Sequence, residues 1–375
     1  MHIPGLQFSP ENYAAQLGEK ASAVTAGFAS LAMPEFTTFP SPPLHFRMRA
    51  EFRIWHDKHS EPQRCHYAMF ERDAPRTPVE ITHFPIACKA ICEVMAPLLE
   101  KINACPMLAA KLFQVEFLAS SSGEVVATLI YHRQLDAAWQ TKAKALEQQL
   151  NIAIIGRARK QKIVLSRDYV IETIEVNGRS FQYEQKENSF TQPNAAINRD
   201  MITWVSQYLA TPNQYSTSLS DFIELYCGNG NFTLPIAQYF RRAIGTEISK
   251  TSIASAQRNC QLNQVENIEF IRLSGAETAS ALQREREFRR LRHIELDSYA
   301  FSTVLVDPPR AGLDAATLEF IARFDRIIYI SCNPQSLSAN LSKLTATHSV
   351  AQAALFDQFP YSSHCECGVI LERNA

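Results

Sequence analysis

Apolar residues recur at helical spacing near the start of the chain, at Tyr13, Leu17, Ala21, Val24 and Phe28. The pattern predicts a helix over residues 10–30, weakened by Gly18 and Gly27. A proline-rich joint, Pro34 to Pro43, follows. Beyond it, alternation of apolar and polar positions predicts strands over His45–Trp55 and Gln63–Phe70. A helix fits Ala87–Ile102, strands fit Leu112–Ala119 and Val125–Tyr131, and a helix rich in Ala, Gln, Lys and Leu fits Asp136–Leu150. This half reads as an α+β unit with antiparallel strands.

The pattern then changes. A helix from Ile202 leads to short apolar runs at Phe222–Tyr226, Ala243–Thr246, Ile268–Leu273, Thr303–Val306 and Ile327–Ile330, with helical stretches between them. Strands alternating with helices predict a parallel, doubly wound, Rossmann-like sheet. The charged stretch Gln283–Glu295 reads as a solvent-facing helix or an insertion. The expected boundary lies near residue 185, giving domains 1–185 and 186–375, with residues 1–40 a candidate to pack on the second.

Composition narrows this picture a little. The 375 residues suffice for two cores, and 46% hydrophobic with 20% charged is ordinary for a soluble globular protein. No run of about 20 apolar residues predicts a membrane span. The first ten residues lack a basic region followed by an apolar run, so no signal peptide is read and the cytoplasm is the default location. Nine scattered cysteines suit a reducing compartment better than a disulfide framework, and their spacing predicts neither a metal site nor an iron–sulfur cluster. The formal net charge of −1 neither announces nor excludes a nucleic-acid partner. Local basic candidates are Gly156–Arg167 and Phe46–Arg53, although such runs are more often plain solvated surface.

Candidate chemistry gathers at strand ends in the second half. Ile223 to Phe232 reads as strand, tight turn with Gly228 and Gly230, then helix, which allows a ligand close to the backbone. Glu247, ending the next strand, can accept hydrogen bonds from a ribose. The absence of GxGxxG and of a P-loop lysine favours S-adenosylmethionine over a dinucleotide or a triphosphate. Asp307-Pro308-Pro309 ends a third strand in a rigid bracket that alone would suit amino-group methylation. Cys332, ending a fourth, points instead to uracil C5. That carbon becomes nucleophilic enough to take a methyl group once a thiolate adds to C6. The C5 proton must then leave, and Glu366, just before the last apolar run, is the candidate base. The other cysteines read as packing residues.

The segments Phe190-Thr191-Gln192-Pro193-Asn194, Leu225 to Gly230, Val306 to Asp314, Ser331-Cys332-Asn333-Pro334 and His364-Cys365-Glu366-Cys367, together with Arg47 to Trp55, resemble the bacterial tRNA (uracil-5-)-methyltransferases over nearly the whole chain. The resemblance implies a class I methyltransferase domain behind an N-terminal RNA-binding domain. It also implies transfer of a methyl group from S-adenosylmethionine to uridine 54 of the tRNA T-loop. It assigns Cys332 as nucleophile, Glu366 as proton acceptor, and Gln192, Tyr226, Asn231, Glu247 and Asp307 to the methyl donor. The expected partner is the tRNA T-arm, with other T-loop-like RNAs as further candidates, and the expected state is a monomer. Because the target base must be everted, Arg49 and Arg53 are candidates for phosphate contact and Phe113 for base stacking; ordinary core packing is the competing role for Phe113. Methylation of ribosomal-RNA uridine and a non-catalytic RNA-binding role remain alternatives.

Overall fold

The short apolar runs of the second half pair into one eight-stranded sheet. In spatial order its strands are Phe36–Phe39, His348–Phe356, Glu366–Arg373, Arg326–Ser331, Phe301–Val306, Asp221–Leu225, Ala243–Thr246 and Ile268–Ile271. Neighbours run parallel, except that Glu366–Arg373 is antiparallel to both its partners. The computed structural model describes residues 2–57, 64–211 and 220–374.

Strand periodicity explains the layering. Ile223, Leu225, Val304, Val306, Ile327 and Tyr329 share one apolar cluster, while Phe222, Leu305, Ile328 and Ile330 belong to another. Alternate residues of the central strands thus feed two cores, one on each face, as a parallel sheet covered on both sides requires. The chain builds outward in opposite directions from Asp221–Leu225 and Phe301–Val306. Their carboxyl ends flank the switch point where ligands bind in such sheets.

Two compact units divide the chain. The sheet above belongs to the unit formed by Asn12–Ser41, Ile174–Tyr183 and Ala196–Ala375. The other comprises Met1–Glu11, Pro42–Thr173 and Glu184–Ala195, so where one boundary near 185 was expected the chain passes between the units several times. That second unit holds a seven-stranded sheet, in order Pro78–Glu80, Arg64–Phe70, Arg49–Asp57, Leu112–Ala119, Val125–Tyr131, Ala153–Ala158 and Gln161–Val164. Its pairs are antiparallel apart from Val125–Tyr131 with Ala153–Ala158, which the chain joins through the helix Ala137–Leu150. Asp136 caps that helix by accepting from the Trp139 amide at 2.8 Å. Gly156 is required beneath it, because a Cβ there would meet Leu135 at 2.6 Å.

Several elements differ from the sequence expectation. The first helix is shorter, Tyr13–Ala26, and the first strand of the seven-stranded sheet starts at Arg49 rather than His45. Gln63, expected in a strand, lies outside the described residues. Gln283–Glu295 does not form the helix that was one of two expectations: the α-helix Gly275–Leu282 precedes it, and it contains a single 3-10 turn, Arg289–Leu291. Strands at Phe36–Phe39 and His348–Phe356, and four more between Ala153 and Lys186, had not been anticipated.

Candidate active site

The turn after Asp221–Leu225 carries an unusual run of left-handed residues: Tyr226 at φ 63°, Gly228 at 56° and Gly230 at 80°. Gly230 also needs its missing Cβ, which would strike Leu234 and the Phe270 ring, the latter at 2.9 Å. Gly275 leaves room for the Tyr226 ring, whose edge a Cβ there would approach to 2.9 Å. Glu247 is held beside this turn. Its carboxylate accepts from the Gly228 amide at 3.2 Å and the Ser249 amide at 2.7 Å. Asn231 is committed differently: its amide exchanges hydrogen bonds with Asn198 at 2.8 and 2.9 Å, and its carbonyl accepts from the Tyr183 hydroxyl at 3.0 Å. The sequence reading missed Glu224. It is buried, accepts from the Thr233 hydroxyl, and is pushed well above the usual carboxylate range by burial, with Asp307 and Glu247 adding to the effect.

Asp307 follows Phe301–Val306 directly. It is half-buried, and desolvation pushes its pKa up to about 7. Three acids near one turn, with Glu224 raised by burial and by Asp307 and Glu247 and Asp307 raised by burial, suit a ligand with positive charge, and this is the character of a sulfonium bearing an amino acid. The residues present therefore fit S-adenosylmethionine. Tyr226 and Glu247 would flank its adenosine, and Asp307 would face the charged portion.

Cys332 comes one residue after Arg326–Ser331 and one before Asn333, which caps the helix Pro334–Leu344. The turn is fixed by side chains. The Ser331 hydroxyl donates to the Asn333 carbonyl at 3.1 Å and accepts from its amide at 3.2 Å, while Asn333 Nδ2 donates to the Arg310 carbonyl at 2.8 Å. Cys332 is half-buried, and its thiol is pushed up to about 11 by burial, then by Glu366 and Asp307, with Arg310 opposing.

Glu366 opens the terminal strand. Ser331 pairs with Cys367 at the end of the antiparallel ladder. Cys332 directly follows Ser331 and Glu366 directly precedes Cys367, so both stand at the end of this ladder, where Glu366 helps to raise the Cys332 thiol. Glu366 is buried, and its Oε2 has no hydrogen-bond partner among the described residues. Burial holds it well above the usual carboxylate range, reinforced by Asp307 and Cys365 and opposed by Arg310. Arg310 also donates from Nη2 to His364 Nδ1 at 3.0 Å. It thus connects the proline bracket, the Cys332 turn and the segment before Glu366, a role that no local sequence signal announces.

A family model described as tRNA (Uracil-5-)-methyltransferase matches residues 12–374. The chain belongs to that family. Two tRNA/tmRNA (uracil-C(5))-methyltransferases illustrate the kinship within the tRNA (uracil-5-)-methyltransferases. That of Aromatoleum aromaticum is 49% identical over 373 residues, covering 100% of this chain and 98% of its own. That of Chromohalobacter salexigens is 51% identical over 380 residues, covering 100% and 99%. A solved structure, Pyrococcus abyssi tRNA (uracil-54, C5)-methyltransferase in complex with S-adenosyl-L-homocysteine, is similar in fold with TM-score 0.71 at 20% identity, covering 96% of this chain and 83% of that one.

The remaining family-implied residues lie in the other unit. Gln192 is buried there. Arg49, expected at a phosphate, has its guanidinium turned inward: it donates to Thr191 Oγ1 at 2.8 Å and to the carbonyls of Lys186, Glu187 and Ser189 at 2.6 to 3.1 Å. It fixes the segment leading to Gln192. Phe113 stacks on His132 with ring centroids 3.9 Å apart, and the Arg53 guanidinium carbon lies 3.8 Å from the same centroid. Two groups so close to one ring must cover opposite faces. The basic run Gly156–Arg167 is largely neutralised, since Arg157 pairs with Glu187, Lys162 with Asp168 and Arg167 with Glu124. Among the described residues no group of three or more His, Cys, Asp or Glu could hold a metal ion, and no helix is long and apolar enough to cross a membrane.

Proposed function

We propose that this protein transfers a methyl group from S-adenosylmethionine to C5 of uridine in tRNA, at the T-loop uridine 54, with Cys332 as nucleophile and Glu366 as proton acceptor. The observation that supports the reading is a half-buried thiol and a buried carboxyl with an unpartnered oxygen at the end of one ladder, each acted on by the charge of Asp307.

The methyl donor supplies an electrophilic carbon on a positively charged sulfur. Cys332 sulfur bonds to C6 of the uracil, and the electron pair displaced from the C5–C6 double bond makes C5 a carbanion equivalent. C5 bonds to the methyl carbon as the methyl–sulfur bond breaks. Glu366 then takes the C5 proton, the C5–C6 double bond reforms, and Cys332 leaves as thiolate. The raised proton affinities of Cys332 and Glu366 fit this order. A nearby positive charge favours both anions before transfer. Once that charge is gone, Glu366 becomes the stronger base when a proton must be taken.

Arg53, Phe113 and His132 form a planar pile suited to an opened base. Both faces of Phe113 are covered, so a base would add at exposed His132 or Arg53 rather than on Phe113 itself. The T-arm is the proposed recognition element and the monomer the proposed working state. Incubation with cofactor and isolated tRNA or rRNA, followed by mass spectrometry of RNA fragments, tests the reading. A new methyl at C5 of the T-loop uridine is expected; methylation of rRNA alone, or of an amino group, would refute it.

A further inference from the structure

Lys20 lies on the helix Tyr13–Ala26, far in sequence from Glu366, yet it sits inside the connection between the last two strands, His348–Phe356 and Glu366–Arg373. Its side chain is only 9% exposed. Its ammonium donates to Asp357 Oδ1 at 2.6 Å, to the Phe359 carbonyl at 3.0 Å and to the His364 carbonyl at 3.0 Å. An ammonium has three N–H bonds, and all three are taken. The other Asp357 oxygen accepts from the Tyr13 hydroxyl at 2.8 Å, and Tyr13 in turn accepts from the Ser41 amide at 2.8 Å. Tyr13 and Lys20 are two helical turns apart and share a face. Tyr361, in the same connection at φ 65°, meets the Tyr13 ring edge-on with centroids 5.8 Å apart.

We propose that Lys20 is a positioning residue for Glu366: by gathering Asp357, the Phe359 carbonyl and the His364 carbonyl around one ammonium, it sets the path on which the chain enters the strand carrying the base. Phe356 pairs with Glu366 across the ladder, so Asp357 at one end of the connection and His364 at the other bracket Glu366. His364 also receives the Arg310 guanidinium, so the same clasp holds the segment that meets the cation acting on both the thiol and the carboxyl. Without Lys20 the Asp357 carboxylate would keep only the Tyr13 hydroxyl and the Phe359 carbonyl only the Ser362 hydroxyl, and nothing would tie the His364 carbonyl to the helix, so the connection would be freer to move. The inference rests on Glu366 being the base.

The test uses the full chain with tRNA and S-adenosylmethionine. The double variant Lys20→Met/Asp357→Asn removes both charges together, so no lone buried ion remains. Lys20→Arg keeps the charge but offers a planar fork in place of a tetrahedral donor set. If the clasp positions the base, kcat falls at least about tenfold while KM for tRNA stays within about threefold. The covalent Cys332–RNA complex on ordinary uridine accumulates as in Glu366→Gln, and the rate of adduct formation with 5-fluorouridine RNA stays near the parent's. A folded double variant with unchanged kcat overturns the proposal. So does an equal loss of adduct formation and turnover, the mark of general damage to the site. Should the double variant not fold, Lys20→Arg is judged by the same ratio of turnover to adduct formation. Glu366→Gln turning over at the parental rate would instead remove the base assignment itself, whatever the Lys20 variants do.

Discussion

Cys332 and Glu366 both stand at the end of the antiparallel ladder whose last pair is Ser331 with Cys367, Cys332 directly after Ser331 and Glu366 directly before Cys367. The two are close enough for Glu366 to raise the Cys332 thiol, and the paired strands anchor one side of each proposed reacting group. Changing Glu366 to Gln keeps the shape and removes the proton acceptor, so bond formation to C6 and methyl transfer should continue while release fails. Turnover should drop by about 10² to 10⁴, with a covalent protein–RNA complex visible on a denaturing gel. Cys332→Ala should give neither product nor complex. A Glu366→Gln protein that is slow yet never accumulates complex would mean the carboxyl acts before the proton-removal step.

Burial, Glu366 and Asp307 raise the Cys332 thiol to about 11 with Arg310 as the opposing cation and no methyl donor beside it. Alkylation with iodoacetamide across pH reads its ionisation directly. Adding a cationic ligand of the donor site should lower the midpoint by about one unit or more, as an opposite charge within a few ångströms does. S-adenosylhomocysteine, which lacks the sulfonium charge, should shift it less. Because the midpoint is compared rather than the rate, simple shielding of the sulfur does not mimic the effect. Equal shifts with both ligands would dissociate thiol activation from the positive charge.

Asp307 carries the opposite cost. Its carboxyl stays protonated in the folded protein to about pH 7, against 3.8 for an ordinary aspartate. Between those values the native state binds more protons than the unfolded chain, so this group makes stability fall as pH rises from about 4 to 7. Asp307→Asn removes that penalty. The variant should match the parent near pH 4 and exceed it above pH 7 by on the order of 1 kcal/mol, discounted because the residue is only half-buried. Methyl-donor binding should weaken at the same time. Denaturant melts at several pH values would show it; a constant offset across pH would place the effect elsewhere.

The placement of the candidate residues was legible in the sequence because they stand where strands end. Tyr226, Glu247, Asp307 and Cys332 each follow or flank a short apolar run, and a parallel sheet brings such ends to one rim. The strand Leu112–Ala119 was legible for a similar reason: its apolar pattern and flanks coincide. Phe36–Phe39 was not, because it lies within the proline-rich joint and its pairing partner is His348–Phe356, far along the chain. Lys20 was invisible likewise. A lysine on an amphipathic helix reads as solvated surface, and its acceptors lie more than three hundred residues away. The hydrogen bonds of Arg49 were not legible, since a basic residue in a basic run carries no mark of whether its guanidinium turns inward or out.

That last contrast can be measured. Arg49 has its donors on Thr191 and three carbonyls, whereas Arg53 is exposed over Phe113. Replacing each by Gln should separate two tasks. Arg49→Gln takes hydrogen-bond donors from Thr191 and from the part-buried carbonyls of Lys186, Glu187 and Ser189, and should lower stability by about 1–3 kcal/mol. The dependence of RNA affinity on salt should stay the same. Arg53→Gln should leave folding intact and weaken RNA binding, and if its charge meets a phosphate the slope of log affinity against log salt should fall by about one. A salt slope that drops for Arg49→Gln with stability unchanged would return that residue to the RNA interface.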